Sequence, residues 1–229
     1  VKVAVIRFPG SNCDQDAFHA LNDDLGIRAE YVWHEARSLG GFEAVFLPGG
    51  FSYGDYLRCG AMASRAPIMD EVHRFASEGR LVIGACNGFQ ILCESGILPG
   101  ALLQNLHEKF ICKHVFLKAV NQSSPWTSGA DRVLRIPIAH GDGRYVIDPE
   151  GLKRLQDEDR IAFRYVNKSG ELDDKSNVNG SVDGIAGVVS RRGNVLGLMP
   201  HPERASRALV GSVDGIAILN AFRLVASLR

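Results

Sequence analysis

Leu81-Val82-Ile83-Gly84-Ala85-Cys86-Asn87-Gly88-Phe89-Gln90 is the stretch on which the reading of this chain turns. The apolar run Leu81–Ile83 reads as a buried strand, and Ile91, Leu92 and Ser95 continue a helical pattern beyond it. Between strand and helix, Gly84 and Gly88 flank Cys86 two residues to either side. A turn that sharp admits only small neighbours and throws the central side chain out over the sheet edge, as in a nucleophile elbow. A thiol placed there meets the unpaired N–H groups of a helix start, which favour the thiolate. The plainer alternative is a buried Cys in a tight strand-to-helix turn.

Outward from that stretch, strand and helix patterns alternate. Val1–Phe8 is a strand pattern broken by Pro9-Gly10. A helix is expected over Asp14–Leu25, closed by Gly26, then strands at Ala29–Trp33 and Ala44–Leu47. The latter ends at Pro48-Gly49-Gly50, and a helix follows over Met62–Ser77. This order implies right-handed βαβ units and a mostly parallel sheet, in which ligands gather at the carboxyl ends of the strands. Gly49-Gly50 and Cys86 are therefore expected to face one site. From Phe110 to Val166 strands dominate, at Phe110–Val120, Arg132–Ile138, Tyr145–Ile147 and Ile161–Val166, with one short helix near Pro149–Leu155. This segment reads as an antiparallel excursion or extra sheet edge, because no linker-like composition sets it apart. A strand pair at Ile185–Ser190 and Val195–Met199 and a helix over Val213–Leu228 complete the chain. The expectation is one domain over 1–229, a flavodoxin-like, doubly wound, mostly parallel α/β sheet with helices on both faces and an antiparallel excursion.

Lys plus Arg and Asp plus Glu each number 26, so the net charge is zero. That argues against nucleic acid or an anionic membrane as the main partner. No apolar run reaches the length of a membrane span and no signal-peptide pattern is visible. The five cysteines are odd in number and make no CxxC pair, so neither a zinc site nor a disulfide framework is expected, and free thiols in a reducing cytoplasm are the economical reading.

A Cys nucleophile needs a base, usually His, held in its tautomer by a third group. Of seven histidines, His201 stands apart. Pro200 and Pro202 fix the backbone on both sides, and Glu203, two residues on, projects the same way in extended chain. An oxyanion requires donors. The N–H of Asn87 begins the helix after Cys86, and Gly50 offers a second from a neighbouring strand end. Gly49-Gly50-Phe51-Ser52-Tyr53-Gly54 matches neither the Rossmann nor the Walker spacing. Cys13, in a second strand-to-helix turn, is the other candidate thiol. Asp14 and Asp16 beside it would raise its pKa, so it reads as packing or a partner contact. Cys59, Cys93 and Cys112 read as small core residues.

On these residues the sequence resembles the class I, triad-type glutamine amidotransferases. Their elbow pattern G-x-C-x-G-x-Q stands as Gly84, Cys86, Gly88 and Gln90, their oxyanion loop as Pro48-Gly49-Gly50, and their H-x-E as His201 and Glu203. Within that class it is similar to the stand-alone glutaminase subunits of phosphoribosylformylglycinamidine synthases of purine biosynthesis. Phe8–Asp14, Pro48–Arg58, Ile138–Arg144 and Met199–Glu203 carry that likeness. The resemblance implies Cys86, His201 and Glu203 as the catalytic triad, Gly50 and Asn87 as the oxyanion hole, and Gly49, Gln90 and His140 at the substrate. It implies glutamine as substrate and docking to a large synthetase subunit and to a small accessory subunit. No cofactor is implied for this chain, ATP and Mg being used by the synthetase subunit. Two other readings stay open: a DJ-1/PfpI-type cysteine hydrolase or chaperone, which shares the elbow but lacks the H-x-E pair, and an inactive amidotransferase-like scaffold.

Overall fold

A computed structural model describes residues 1–121 and 123–224. In chain order the strands are β1 (Lys2–Arg7), β2 (Arg28–Trp33), β3 (Ala44–Leu47), β4 (Leu81–Ala85), β5 (Ala101–Leu103) and β6 (Ile111–Ala119), then β7 (Leu134–His140), β8 (Arg144–Val146), β9 (Ile161–Val166), β10 (Ile185–Val189) and β11 (Val195–Leu198). The helices are α1 (Asp14–His19), α2 (Ile68–Ser77), α3 (Asn87–Glu94), α4 (Pro149–Asp157), α5 (Ile216–Leu219) and α6 (Ala221–Leu224). Nine strands form one sheet in the order β2-β1-β3-β4-β11-β10-β9-β6-β7. The first five are mutually parallel, and from β11 onward every pair is antiparallel. The α/β reading with an antiparallel excursion is therefore borne out.

Inside the edge strand β2, the parallel half is built from strands that are apolar on both faces, as helices above and below the sheet require. Along β1, Val3 and Val5 join one buried cluster while Ala4 and Ile6 join the other. The first cluster packs Phe46, Ile83 and Leu196 against Ala17 and Leu21 of the first helical segment and Phe222 of α6. The second packs Val45, Leu47 and Val82 against Val72 and Phe75 of α2 and Phe89 and Leu92 of α3. The chain leaves β1 for β2 on one side and returns to β3 on the other. That reversal opens a crevice at the strand carboxyl ends, the place where such sheets bind ligands.

Several elements differ from the sequence expectation. The helix expected over Met62–Ser77 is a 3₁₀ turn, Ala63–Arg65, then extended Ala66 (ψ 146°) and α2. Pro67 disfavours helical backbone at the residue before it. The helix expected over Asp14–Leu25 changes at Ala20 to a π-helical turn, in which Leu25 N–H donates to Ala20 O at 3.1 Å. The strand expected at Tyr145–Ile147 is β8, which leaves the main sheet and pairs with β5, a short strand that no sequence pattern announces. The last helix begins at Ile216, breaks at Asn220, and lies outside the described residues beyond Leu224. Among the described residues no helix is long and apolar enough to cross a membrane.

Candidate active site

Cys86 follows β4, a central strand, and precedes α3 with φ 49° and ψ −106°. A positive φ on a residue with a Cβ costs about 1–3 kcal/mol and persists only where its surroundings enforce it. Cys86 N–H donates to Leu198 O of β11 at 2.8 Å, and Cys86 O accepts from Phe89 and Gln90 N–H at the start of α3. A Cβ on Gly84 would lie 2.5 Å from Gly88 C, and one on Gly88 2.0 Å from Leu47 O. Both glycines are thus required for α3 to close onto β4 and β3.

Three further strand ends converge on this turn. After β1, Asn12 and Cys13 N–H both donate to Gly49 O, at 3.3 and 3.1 Å, stitching that turn to the one after β3. Gly50, at φ 149°, bridges Ser11. The two hydrogen bonds of that bridge run from Phe51 N–H to Gly10 O and from Asn12 N–H to Gly49 O, so the Gly50 N–H takes part in neither. Gly50 borders the cavity beside Cys86. Gly49 lies beneath the His201 ring instead: a Cβ there would be 2.6 Å from Cε1 and 3.2 Å from Cys13 Sγ.

After β11, Pro202–Arg204 forms a 3₁₀ turn rather than the extended chain expected there. The turn still brings His201 and Glu203 together, with Nδ1 and Oε1 2.6 Å apart and both side chains buried. A carboxylate at Nδ1 keeps a proton on that nitrogen in either charge state of the ring, which leaves Nε2 as the nitrogen that exchanges a proton with a neighbouring group. Nε2 is buried without a hydrogen-bond partner, and His201 borders the same cavity as Cys86. Burial alone would lower the imidazole pKa. The Glu203 carboxylate, with the Cys86 and Cys13 thiols beside the ring, outweighs it and holds the pKa well above the ordinary histidine value.

Cys13 differs from its sequence reading. Its thiol is buried at the site, and its sulfur, an imidazole nitrogen of His201 and a carboxylate oxygen of Glu203 lie within 4.8 Å of one another. Its pKa is raised, but Asp14 and Asp16 are not the reason. Burial comes first, and Glu203 and Cys86 add to it against the opposing pull of His201. Asp14 is occupied by Arg7 at 2.6 Å. Cys59 is likewise no core residue: it borders the cavity and donates to Asp142 Oδ2 at 3.1 Å. Cys112 is exposed. His19 and His34 stay outside, paired with Asp23 and the Tyr53 hydroxyl at 2.6 and 2.7 Å.

These elements enclose a cavity of about 210 Å³, the scale of a small metabolite. Asn87 is buried at the start of α3, where its Oδ1 accepts from Ser52 N–H and its Nδ2 donates to Gln90 Oε1. Gln90 Nε2 donates to Asp142 O at 2.6 Å, tying α3 to the loop after β7. His140, the last residue of β7, and Asp142 of that loop both border the cavity. The cavity therefore joins a thiol, an oriented imidazole with a free nitrogen, and a backbone N–H at Gly50.

A sequence profile for the CobB/CobQ-like glutamine amidotransferase domain matches residues 1–215. The chain belongs to this family. Among curated relatives, the phosphoribosylformylglycinamidine synthase subunits PurQ from two strains of Thermus thermophilus are each 57% identical over 215 residues, 93% of either chain. Among solved structures, a chain of PurLQS from Thermotoga maritima superposes with a TM-score of 0.85 at 46% identity, covering 100% of this chain and 99% of that one. A glutamine amidotransferase from Thermotoga maritima shares the fold, with a TM-score of 0.56 at 17% identity over 100% and 85% of the two chains. The resemblance to glutaminase subunits of phosphoribosylformylglycinamidine synthases is thus borne out, and the DJ-1/PfpI-type reading is not favoured.

The amidotransferase cavity also contains Asn12, Asp55 and Arg204, to which the sequence reading gives no role. Cys59, read from the sequence as a core residue, and Asp142, in a loop read as a candidate for substrate or partner contact, border it too, and Asn105 anchors His140 from behind at 3.0 Å. The signal for Asp55 and Asp142 lies in Gly54-Asp55-Tyr56 and Gly141-Asp142-Gly143, short polar turns flanked by glycine. Nothing in either segment says that the two meet.

Proposed function

We propose that this chain, as one amidotransferase domain over 1–229, hydrolyses glutamine to glutamate and ammonia through a thioester on Cys86. His201 takes the Cys86 proton, and the sulfur attacks the side-chain amide carbon of glutamine. The N–H groups of Gly50 and Asn87 receive the oxyanion, each worth about 3 kcal/mol in comparable sites. His201, held by Glu203, gives its proton to the departing ammonia, and then draws one from the water that cleaves the thioester. Gln90 and His140 shape the substrate pocket, and Gly49 admits the imidazole. The observation that carries this reading is the His201 ring: Nδ1 is pinned by Glu203, and Nε2 lies buried and unpartnered in the cavity that holds Cys86.

The ammonia serves a large synthetase subunit that converts formylglycinamide ribonucleotide to formylglycinamidine ribonucleotide with ATP and Mg, in a complex with a small accessory subunit. The PurLQS assembly from Thermotoga maritima supports that partnership. Free ammonia in water near neutral pH is mostly protonated and unreactive as a nucleophile, so the mouth of the cavity must be covered by the partner. Phe51 and Phe110 at the cavity, and Tyr56 and Leu57 next to it, are exposed apolar side chains suited to that contact. Five cysteines without a disulfide fit a reducing cytoplasm.

Reconstitution with the synthetase subunit tests the proposal. Cys86→Ala abolishes glutamine-dependent synthesis and leaves ammonia-dependent synthesis intact. Loss of both in a folded complex, or survival of both, overturns the assignment of Cys86. A glutamine-analogue electrophile that fails to label Cys86 in the native complex favours the scaffold reading.

A further inference from the structure

The cavity wall includes several hydrogen-bond acceptors. His140 is 3% exposed, and Asn105 sets its tautomer. Asn105 Nδ2 donates to Lys109 O and His140 O, at 2.8 and 2.9 Å, which orients the amide. Its Oδ1 then accepts from Gly143 N–H at 3.1 Å and from His140 Nδ1 at 3.0 Å. The His140 proton is therefore on Nδ1, and Nε2 presents a lone pair. That nitrogen is buried, has no hydrogen-bond partner, and belongs to a residue of the cavity wall. Burial, and secondarily the nearby His201, hold the ring pKa down to about 4, so it remains a neutral acceptor.

Two carboxylates share this wall. Asp142 accepts from the Cys59 thiol at 3.1 Å. Asp55 has one carboxylate oxygen, Oδ1, buried with no partner. Its pKa is raised by burial, with the Cys59 hydrogen bond opposing and the negative charge of Asp142 reinforcing. The Cys59 thiol is pushed far up by burial and by both carboxylates, which makes it a hydrogen-bond donor between them and not a nucleophile. Gln90 holds the Asp142 backbone in place from α3, one turn beyond Cys86.

We propose that Asp55, Asp142 and Nε2 of His140 form the subsite that reads the α-ammonium group of the substrate. The inference rests on the reading of this cavity as a glutaminase site. An ammonium offers three N–H donors and one positive charge, and the cluster offers acceptors and uncompensated negative charge. Arg204, the one guanidinium bordering the cavity among the described residues, is suited to the α-carboxylate. The acceptor cluster thereby restricts the amide donor to a free α-amino acid. A primary amide without the ammonium leaves two partly buried carboxylates unmatched, a penalty that rejects it.

The test compares glutamine with glutaramate, the same molecule lacking the α-amino group, in the native protein reconstituted with its synthetase subunit. The expected preference in kcat/KM is about a hundredfold or more for glutamine. In Asp142→Asn and Asp55→Asn that ratio falls by roughly tenfold or more, through loss on glutamine. As pH falls and Asp55 takes up its proton, KM for glutamine rises while KM for glutaramate does not. Equal handling of the two substrates by the native protein overturns the inference, and needs no variant to fold. So does a native-like ratio in both variants. Native complex that turns over neither substrate overturns the glutaminase reading, and the subsite with it.

Discussion

Two thiols stand before two helices in this protein, and their backbones differ. Cys13 precedes α1 in the turn after β1, with φ −101°. Cys86 precedes α3 in the turn after β4, with φ 49°. They are nearly equally buried, at 7% and 6% exposure, and both border the cavity that holds His201. Cys13 lies in relaxed backbone, donates to Asn12 Oδ1 at 3.4 Å, and has a raised pKa. Cys86 lies in left-handed backbone that Gly84, Gly88 and the bond to Leu198 enforce. Closeness to an imidazole does not separate the two thiols. Backbone strain does, since strain without local necessity marks a side chain whose direction matters.

The largest expected effect falls on the strained turn. Cys86→Ala lowers glutamine-dependent kcat by on the order of 10⁴ or more, as loss of a nucleophile does elsewhere. Steady-state turnover in the reconstituted complex measures it, and comparable residual rates in Cys86→Ala and Cys13→Ala would dissolve the contrast between the two thiols.

Next comes the ion pair that both thiols face. Glu203→Gln lowers kcat by roughly 10²–10⁴, with His201 left unoriented. The same variant has a signature in stability. His201 has a raised pKa in the folded protein, so the stabilisation is full below the unfolded histidine value of about 6.5. It is lost as pH rises through the folded value. The difference in urea midpoint between native protein and Glu203→Gln is therefore widest on the acid side of neutrality and narrows toward alkaline pH. A difference that grows with pH would mean that the imidazole is not held as a cation by Glu203.

Smaller effects sharpen the comparison. Gly49→Ala places a methyl 2.6 Å from His201 Cε1, and the displaced ring costs on the order of 10² in kcat. Native-like far-UV circular dichroism with unchanged kcat would show that the ring has room to shift. Cys13→Ala removes one thiol contact and is expected to cost less than about tenfold in kcat/KM, with alkylation at Cys86 preserved. Mass spectrometry of the alkylated protein settles which thiol reacts.

Sequence reading reaches the elbow, the Pro-His-Pro-Glu turn and the glycine loop because each is a local pattern. The spacing Gly84, Cys86, Gly88 states a steric need within one turn, and His201 with Glu203 are two residues apart. Strand β1 is legible for the same reason: an apolar run bounded by Pro9-Gly10 needs no partner to be recognised. Cys59 and Asp142 are not legible as a pair, being 83 residues apart and joined only when the loop after β7 folds over α3. Nor is β5, three residues long, which exists as a strand only because β8 lies beside it. Pro67 does carry a local signal, and its restriction of Ala66 outweighs the helical spacing that begins at Met62.

By itself, then, the sequence determined what each segment is: which runs alternate as strand and helix, which turn must be tight, which imidazole has a carboxylate within two residues. Only the tertiary structure decided which of these meet. The reversal between β1 and β3 brings four strand ends to one crevice, turning Cys13 from a packing residue into a neighbour of His201. The physical reason is range. Periodicity, proline geometry and glycine spacing act within a few residues, whereas desolvation, unpartnered nitrogens and shifted pKa values depend on what the folded chain packs around a group.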